Sequence, residues 1–225
     1  MTSPDNHLWL KSWRDQQTAF HQETVNPFLT RFWPSLDLAR GSRVFVPLCG
    51  KSLDMLWLAR QGYKVIGVEL SPIAVWDFFR ENGLRPERRQ MGNFTLWEHG
   101  GISILCGDYF SLTKTDLGQI DTVYDRAALT ALPDDIHRCY VAQLRRIVPE
   151  TAEVFLLTTE DAEVGESLKQ ALGVAEEIKM LYTQGFEIDL THVESVYEPH
   201  PESPRLAPRR VEYKVYRLSS RAESN

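Results

Sequence analysis

Cysteine is rare in this chain of 225 residues: Cys49, Cys106 and Cys139 are its only three. They form no CxxC pair and no set with histidine at zinc-ligand spacing, so no metal is expected and reduced thiols are the simplest state. Positive charge is short as well. Lys and Arg number 25 against 31 Asp and Glu, a formal net charge of -6, which argues against a nucleic-acid partner because phosphate neutralisation needs clustered cations. Long apolar runs are missing: stretches such as Val154 to Leu157 fall far short of the roughly 20 residues that cross a bilayer. No cationic-then-apolar leader opens the chain. No membrane association and a cytoplasmic location are therefore expected. There is no internal repeat and no low-complexity segment. What remains, 43% hydrophobic and 25% charged residues, is the composition of an ordinary globular domain, expected to be a single one over 1–225 and a monomer.

Glycine is sparse at the most informative position. Arg43-Val-Phe-Val-Pro-Leu-Cys-Gly-Lys-Ser52 reads as a strand and a tight turn; after a helical run, Lys64-Val-Ile-Gly-Val-Glu69 reads as a strand closed by an acid. Dinucleotide enzymes place G-x-G-x-x-G in such a turn, because backbone amides and a helix N-terminus must cradle a pyrophosphate. This turn carries only Gly50, which disfavours NAD and FAD and favours a nucleoside without phosphates. Gly50 lets a ligand approach the backbone. Glu69 lies nineteen positions on, close to the spacing of roughly 20 at which a strand-end acid meets ribose hydroxyls. S-adenosylmethionine fits that description; an ordinary crossover with a solvated Glu69 fits the same residues. At a strand end, Glu69 is expected to contribute little to the core.

Helical spacing runs from His7 to Gln22, with Trp9 and Trp13 one turn apart on one face. Pro27 to Trp33 reads as a second short helix. Strands are predicted at 43–46, 64–68, 94–98, 102–106, 122–124 and 154–158, with helices at 53–61, 72–81 and 133–147. Ser71 is a good N-cap for the 72–81 helix, and His99-Gly100-Gly101 reads as a hairpin turn. The alternation implies a mostly parallel, doubly wound α/β sheet with ligands at the strands' carboxyl ends. Gly50, Glu69, Asp108 and Arg126 all sit at such ends. Beyond Thr159 follow an acidic loop, a helix somewhere in 163–182, a Pro-rich loop over 198–208, and strands 186–193 and 211–218 that pair antiparallel.

Trp9-x3-Trp13, Thr18-Ala-Phe-His-Gln22, Val44-Phe-Val-Pro-Leu-Cys-Gly-Lys51, Gly67-Val-Glu-Leu-Ser71 and Tyr124-Asp-Arg-Ala-Ala-Leu129, in this order and spacing, resemble the thiopurine S-methyltransferase family over roughly residues 7 to 158. The resemblance implies a Rossmann-like class I methyltransferase fold: a doubly wound, mostly parallel seven-stranded sheet, with an N-terminal helical lid over 7–33, a donor-binding core over 43–158 and an acceptor side over 159–225. It implies methyl transfer from S-adenosylmethionine to a small-molecule thiol, with S-adenosylhomocysteine as product. Selenium or tellurium species, another small nucleophile, or a non-catalytic adenosine-binding module are the alternatives. By the same resemblance Trp9, Trp13, Leu48, Gly50, Glu69 and Arg126 form the donor site, with Glu69 on the ribose. Asp108 and Tyr109 stand beside the adenine, and Phe20 and Arg126 face the acceptor.

An indole face attracts a sulfonium, worth about 0.5 to 2 kcal/mol, and packs equally well in a core. A fixed cation at Arg126 favours an anionic acceptor. An ionised thiol needs no general base, so positioning and desolvation supply the rate. His21 is the candidate base near the lid, with a structural hydrogen bond as its other reading. Cys49, just before a helix start, has a minor claim as a nucleophile. After Thr158 the family continues with a tyrosine-containing loop and a Gly-Pro-Pro-Phe segment, whereas this chain reads Thr159-Glu-Asp-Ala-Glu-Val-Gly-Glu166. That departure leaves thiopurine acceptance open, and Arg205, Arg209 and Arg210 stand as candidates for the acceptor side or for the surface.

Overall fold

The structure is a computed structural model, and it describes residues 4–18, 21–129, 131–161, 168–199 and 205–221. In chain order its elements are α1 (Pro4–Arg14), α2 (Pro27–Phe32), β1 (Arg43–Val46), α3 (Asp54–Arg60), β2 (Lys64–Glu69), α4 (Pro72–Glu81), β3 (Glu87–Met91), β4 (Phe94–His99), β5 (Ile102–Cys106), α5 (Lys114–Leu117), β6 (Thr122–Arg126), α6 (Asp134–Ile147), β7 (Glu153–Asp161), α7 (Leu168–Ala171), α8 (Glu176–Tyr182), β8 (Phe186–Glu198) and β9 (Arg209–Ser220). They fall into two compact units. The first holds the described residues up to Tyr124 together with Gln143–Pro149, and the second holds Asp125–Ala142 and the described residues from Glu150 onward.

In the first unit β1, β2, β5 and β6 are parallel, with Val44 opposite Val65 and Thr122, and Glu69 opposite Cys106. Apart from the strand ends, their residues are mostly apolar and buried, as a parallel sheet covered on both faces requires. The β4–β5 hairpin turns at Gly100 and Gly101, both at positive φ, which is the glycine-dependent geometry that matches strand twist. β3 adds antiparallel to β4 and was not anticipated. Its sequence, Glu-Arg-Arg-Gln-Met, has no apolar alternation because it is an exposed edge strand, where charge discourages pairing with other chains. β3 brings the strands to nine among the described residues, against the eight read along the sequence and the seven-stranded sheet that the resemblance implied.

α1 is shorter than its spacing suggested. It ends at Arg14, and Gln16 lies in the left-handed region at φ 56°. Ser71 caps α4 through Ala74 N as expected, and Asn26 caps α2 through the amides of Phe28 and Leu29. In the second unit β7, β9 and β8 form an antiparallel run with β9 in the middle, and β8 carries a bulge between Leu190 and His192. The predicted pairing of the last two strands is thus observed. β7 buries Val154 to Leu157 completely or nearly so, while β8 alternates half-buried and exposed positions as an edge strand does.

Candidate functional site

The carboxyl ends of β1, β2 and β5 lie side by side in the first unit, and Leu48, Gly50, Glu69, Asp108 and Tyr109 lie there. Leaving β1, the chain passes through Leu48 at φ 46° and Gly50 at φ 52°. A leucine in the left-handed region is strained, and strain of this kind persists where surrounding structure enforces it. Glu69 provides part of that enforcement. Its Oε2 accepts from Gly50 N at 2.9 Å and its Oε1 from Ser71 N at 2.7 Å, so one carboxylate ties the β1 turn to the start of α4.

The side chain that was expected to contribute little to the core is only 6% exposed and is bonded at both oxygens. Burial pushes its pKa up to about 7, against the pull of the amides of Ser71, Gly50 and Leu70. A carboxylate has about four acceptor positions. The main-chain amides do not fill all of them, so this carboxylate keeps acceptor capacity while the backbone holds it in place.

Above the turn sits α1, the helix expected to act as a lid. A Cβ added to Gly50 would lie 3.2 Å from Cζ2 of Trp13, so the indole rests on the glycine itself, and Trp13 is 5% exposed. At the other end of α1, Asn6 Nδ2 donates to Asp108 Oδ2 at 3.4 Å. Asn6 and Trp13 are about 10 Å apart along the helix axis, so α1 runs from the β5 end to the β1 end with half-buried Trp9 between them. Asp108 uses its Oδ1 to cap the following turn through Phe110 N at 2.9 Å. Tyr109 is fully buried against the edge of Phe110, with 5.2 Å between centroids. Gly107 is required here, because a Cβ would lie 2.5 Å from Phe94.

Several residues of this region were not singled out from sequence. Buried Asp54 accepts from Asn26 N at 2.8 Å and from Tyr124 Oη at 2.7 Å, anchoring the segment between the lid and α2 to α3 and β6. Gln143 donates from Nε2 to the carbonyls of Tyr109 and Leu112, each at 3.0 Å, and fixes the loop after β5. An acid in the first turn of α3 was a visible signal for Asp54. Gln143 offered none.

Cys49 packs beneath the turn. Its amide donates to the Val68 carbonyl at 2.9 Å, and its Sγ would lie 2.7 Å from a Cβ on Gly67. Burial first, then the nearby Glu69 carboxylate, raise its pKa well above the ordinary value, which is the opposite of an activated nucleophile. Cys106, beside Glu69 in register, is pushed up to about 11 by the same causes. A surface depression of about 480 Å3 in this unit involves Arg43, Lys64, Arg85 and His99. It lies at the opposite, amino-terminal ends of β1 and β2, away from Glu69.

Arg126 closes β6 as expected, half-buried, and belongs to the second unit. Its neighbour Asp125 is fully buried, accepting from Tyr140 Oη at 2.6 Å and from Ala128 N at 3.3 Å; burial raises its pKa to about 6 against those bonds. Arg210 pairs with the buried Glu212 at 2.9 Å and Arg209 approaches Glu198 at 3.9 Å, while Arg205 is exposed. Phe20 and most of the acidic loop after Thr159 lie outside the described residues. His21 donates its backbone N–H to the Thr18 carbonyl at 2.8 Å. Among the described residues no group of three or more His, Cys, Asp or Glu is arranged to hold a metal ion, and no helix is long and apolar enough to cross a membrane.

A family model for thiopurine S-methyltransferase matches residues 4–221, well past residue 158, where the motifs that carry the sequence resemblance stop. A thiopurine S-methyltransferase of Stutzerimonas stutzeri is 64% identical, covering 98% of this chain and 93% of its own length. One of Methylococcus capsulatus is 44% identical, covering 98% and 100%. Among solved structures, a Burkholderia thailandensis 1,6-didemethyltoxoflavin N1-methyltransferase with bound S-adenosylhomocysteine aligns with a TM-score of 0.61 at 15% identity, covering 98% of this chain and 92% of that one. A SAM-dependent methyltransferase of Anabaena variabilis gives the same TM-score and identity over 98% and 96%. At that identity the likeness is one of fold.

Proposed function

This chain belongs to the thiopurine S-methyltransferase family, and from that membership we propose that it transfers a methyl group from S-adenosylmethionine to the sulfur of a small-molecule thiol. The observation that carries this reading is the Gly50–Glu69 contact: a glycine turn covered by the Trp13 indole, and beside it a buried acid pinned by main-chain amides with acceptor capacity to spare. That pattern fits an adenosine ribose better than a phosphate, because the turn offers a carboxylate where a pyrophosphate would need bare amides.

When bound, S-adenosylmethionine supplies an electrophilic methyl carbon on a sulfonium; a thiolate forms the new S–C bond as the old one breaks, and S-adenosylhomocysteine leaves. The chain's own residues bind, orient and exclude water. Glu69 takes the ribose hydroxyls. Asp108, held by Asn6 and by the Phe110 amide, stands at the adenine side. Trp13 and Trp9 on the lid cover the donor with indole faces, which favour a sulfonium. To Arg126 we assign the acceptor, whose anionic form a fixed cation stabilises. Cys49 has no part in transfer, and no general base is needed for a thiol that ionises near neutral pH.

The test is direct. Titration calorimetry with S-adenosylmethionine, followed by incubation with a panel of thiols and mass detection of products, is expected to show binding and a gain of one methyl on sulfur. Binding without transfer to any acceptor would leave an adenosine-binding module; transfer only to oxygen, nitrogen or selenium would move the acceptor class.

A further inference from the structure

The turn after Arg126 is gripped at both ends by one face of α6, within the second unit. Tyr140 donates its hydroxyl to Asp125 at 2.6 Å, on the residue immediately before Arg126. One turn earlier on the helix, His137 Nε2 meets the Leu132 carbonyl at 2.8 Å, at the far end of the same turn, and its Nδ1 meets Glu177 of α8 at 2.6 Å. Both side chains are buried, His137 at 5% exposure and Tyr140 completely. Between the grips the backbone is strained: Ala127 sits at φ 60°, with Ala131 N donating to its carbonyl at 2.9 Å and Ala128 N to Asp125. A left-handed alanine does not hold itself there; something must over-determine it.

We propose that His137 and Tyr140 are positioning residues, which hold Arg126 in its working orientation by fixing Asp125 and Leu132 on either side of it. This rests on the acceptor role assigned above to Arg126. The histidine makes the grip sensitive to protonation. A carboxylate and a carbonyl are both acceptors, so the ring satisfies both only as an imidazolium with two N–H donors. The charged groups facing it are Glu177 from α8 and Asp134 from the first turn of α6 itself, both acidic. Burial lowers the pKa of the ring, but the bonds to Glu177 and Leu132 and the two negative charges outweigh it and leave the pKa raised. As pH climbs through that raised value the ring loses one N–H and must release one end of the grip.

The experiment measures kcat/KM between pH 6 and 9 with an aromatic thiol already ionised across that range, in the wild type, His137→Gln, Tyr140→Phe, Arg126→Ala and the His137→Gln/Arg126→Ala double variant. His137→Gln and Tyr140→Phe are each expected to lower kcat/KM about tenfold, the scale of a small misplacement of a reacting group. The wild type should lose activity on the alkaline side through one ionisation that is missing in His137→Gln. In the Arg126→Ala background, His137→Gln should have no further effect. A full, independent loss in that background, or an alkaline limb that survives His137→Gln, overturns the proposal. Should Arg126→Ala keep wild-type activity, the acceptor role of Arg126 is what fails. The grip is then decided by amide exchange of peptides spanning the turn, corrected for intrinsic rates: faster in His137→Gln and Tyr140→Phe if the grip is real, unchanged if it is not. If Tyr140→Phe does not fold, His137→Gln alone carries these outcomes.

Discussion

Glu69 and Asp125 are both acids at the carboxyl end of a parallel strand, both buried, and both carry raised pKa values, about 7 and about 6. They differ in what holds them. Glu69, in the first unit, is pinned by the main-chain amides of Gly50 and Ser71, groups that only a proline substitution removes. Asp125, in the second, relies on the hydroxyl of Tyr140, with a longer bond from the Ala128 amide. An acid anchored by backbone is oriented before any ligand arrives and keeps lone pairs to offer. One anchored by a side chain from the next helix instead fastens two elements together. The same residue class at the same place on a strand is thus held by the main chain in one unit and by a neighbouring helix in the other.

Replacing Glu69 by Ala is the strongest way to test that contrast. Donor affinity should fall about a hundredfold or more, as expected from losing two charge-assisted bonds of about 1.5 kcal/mol each, read by calorimetry. Asp125→Asn should leave donor affinity within about threefold, less than 1 kcal/mol. Equal losses in the two variants would erase the distinction.

The pH dependence of stability comes next. Each acid binds its proton more tightly folded than unfolded, so each stabilises the fold most fully below its unfolded pKa, and that contribution is lost as pH rises to the folded value. The windows are 4.5 to about 7 for Glu69 and 3.8 to about 6 for Asp125, worth about 3 kcal/mol apiece at most. Denaturant unfolding of Asp125→Asn should lose the lower window and keep the upper one. Because ribose hydroxyls donate to an ionised Glu69, donor binding between pH 6 and 7 should release up to one proton, seen as a binding enthalpy that depends on the buffer. Enthalpies identical in two buffers of different protonation heat would refute it.

Gly50→Ala is a milder probe of the Glu69 anchor. The left-handed backbone alone costs about 1 kcal/mol, and Trp13 must shift from its 3.2 Å approach. A Tm drop of about 2 to 4 °C with a changed tryptophan emission is expected; an unchanged spectrum would place the lid elsewhere. The smallest effect concerns the thiols. Iodoacetamide at pH 8 should modify exposed Cys139 and leave Cys49 intact, and rapid alkylation of Cys49 in the folded protein would contradict its burial.

What could be read from the chain was local. The Gly50 turn, the Ser71 cap, the Gly100-Gly101 hairpin and the acid at the end of β2 each depend on residues a few positions apart or on a fixed strand–helix–strand spacing, and each appears where the pattern placed it. The partners of those residues could not be read. Asp54 meets Tyr124 across 70 positions and Gln143 meets Tyr109 across 34, distances at which no periodicity speaks. β3 was missed because a charged edge strand buries nothing and so carries no alternation. The family likeness also runs to residue 221 although the expected Gly-Pro-Pro-Phe segment is absent, and within that span β9, the central strand of its antiparallel run, keeps Val211, Val215, Tyr216 and Leu218 fully buried.

Two residues before Glu69, Gly67 of β2 lies so near the Cys49 sulfur that any methyl at position 67 would sit 2.7 Å from it. The two sites therefore cannot drift independently. An evolutionary path that gives residue 67 a side chain has to make room beforehand at residue 49 and beside the Met55 sulfur, which would lie 3.3 Å from the new methyl, and the reverse order passes through an overfilled intermediate.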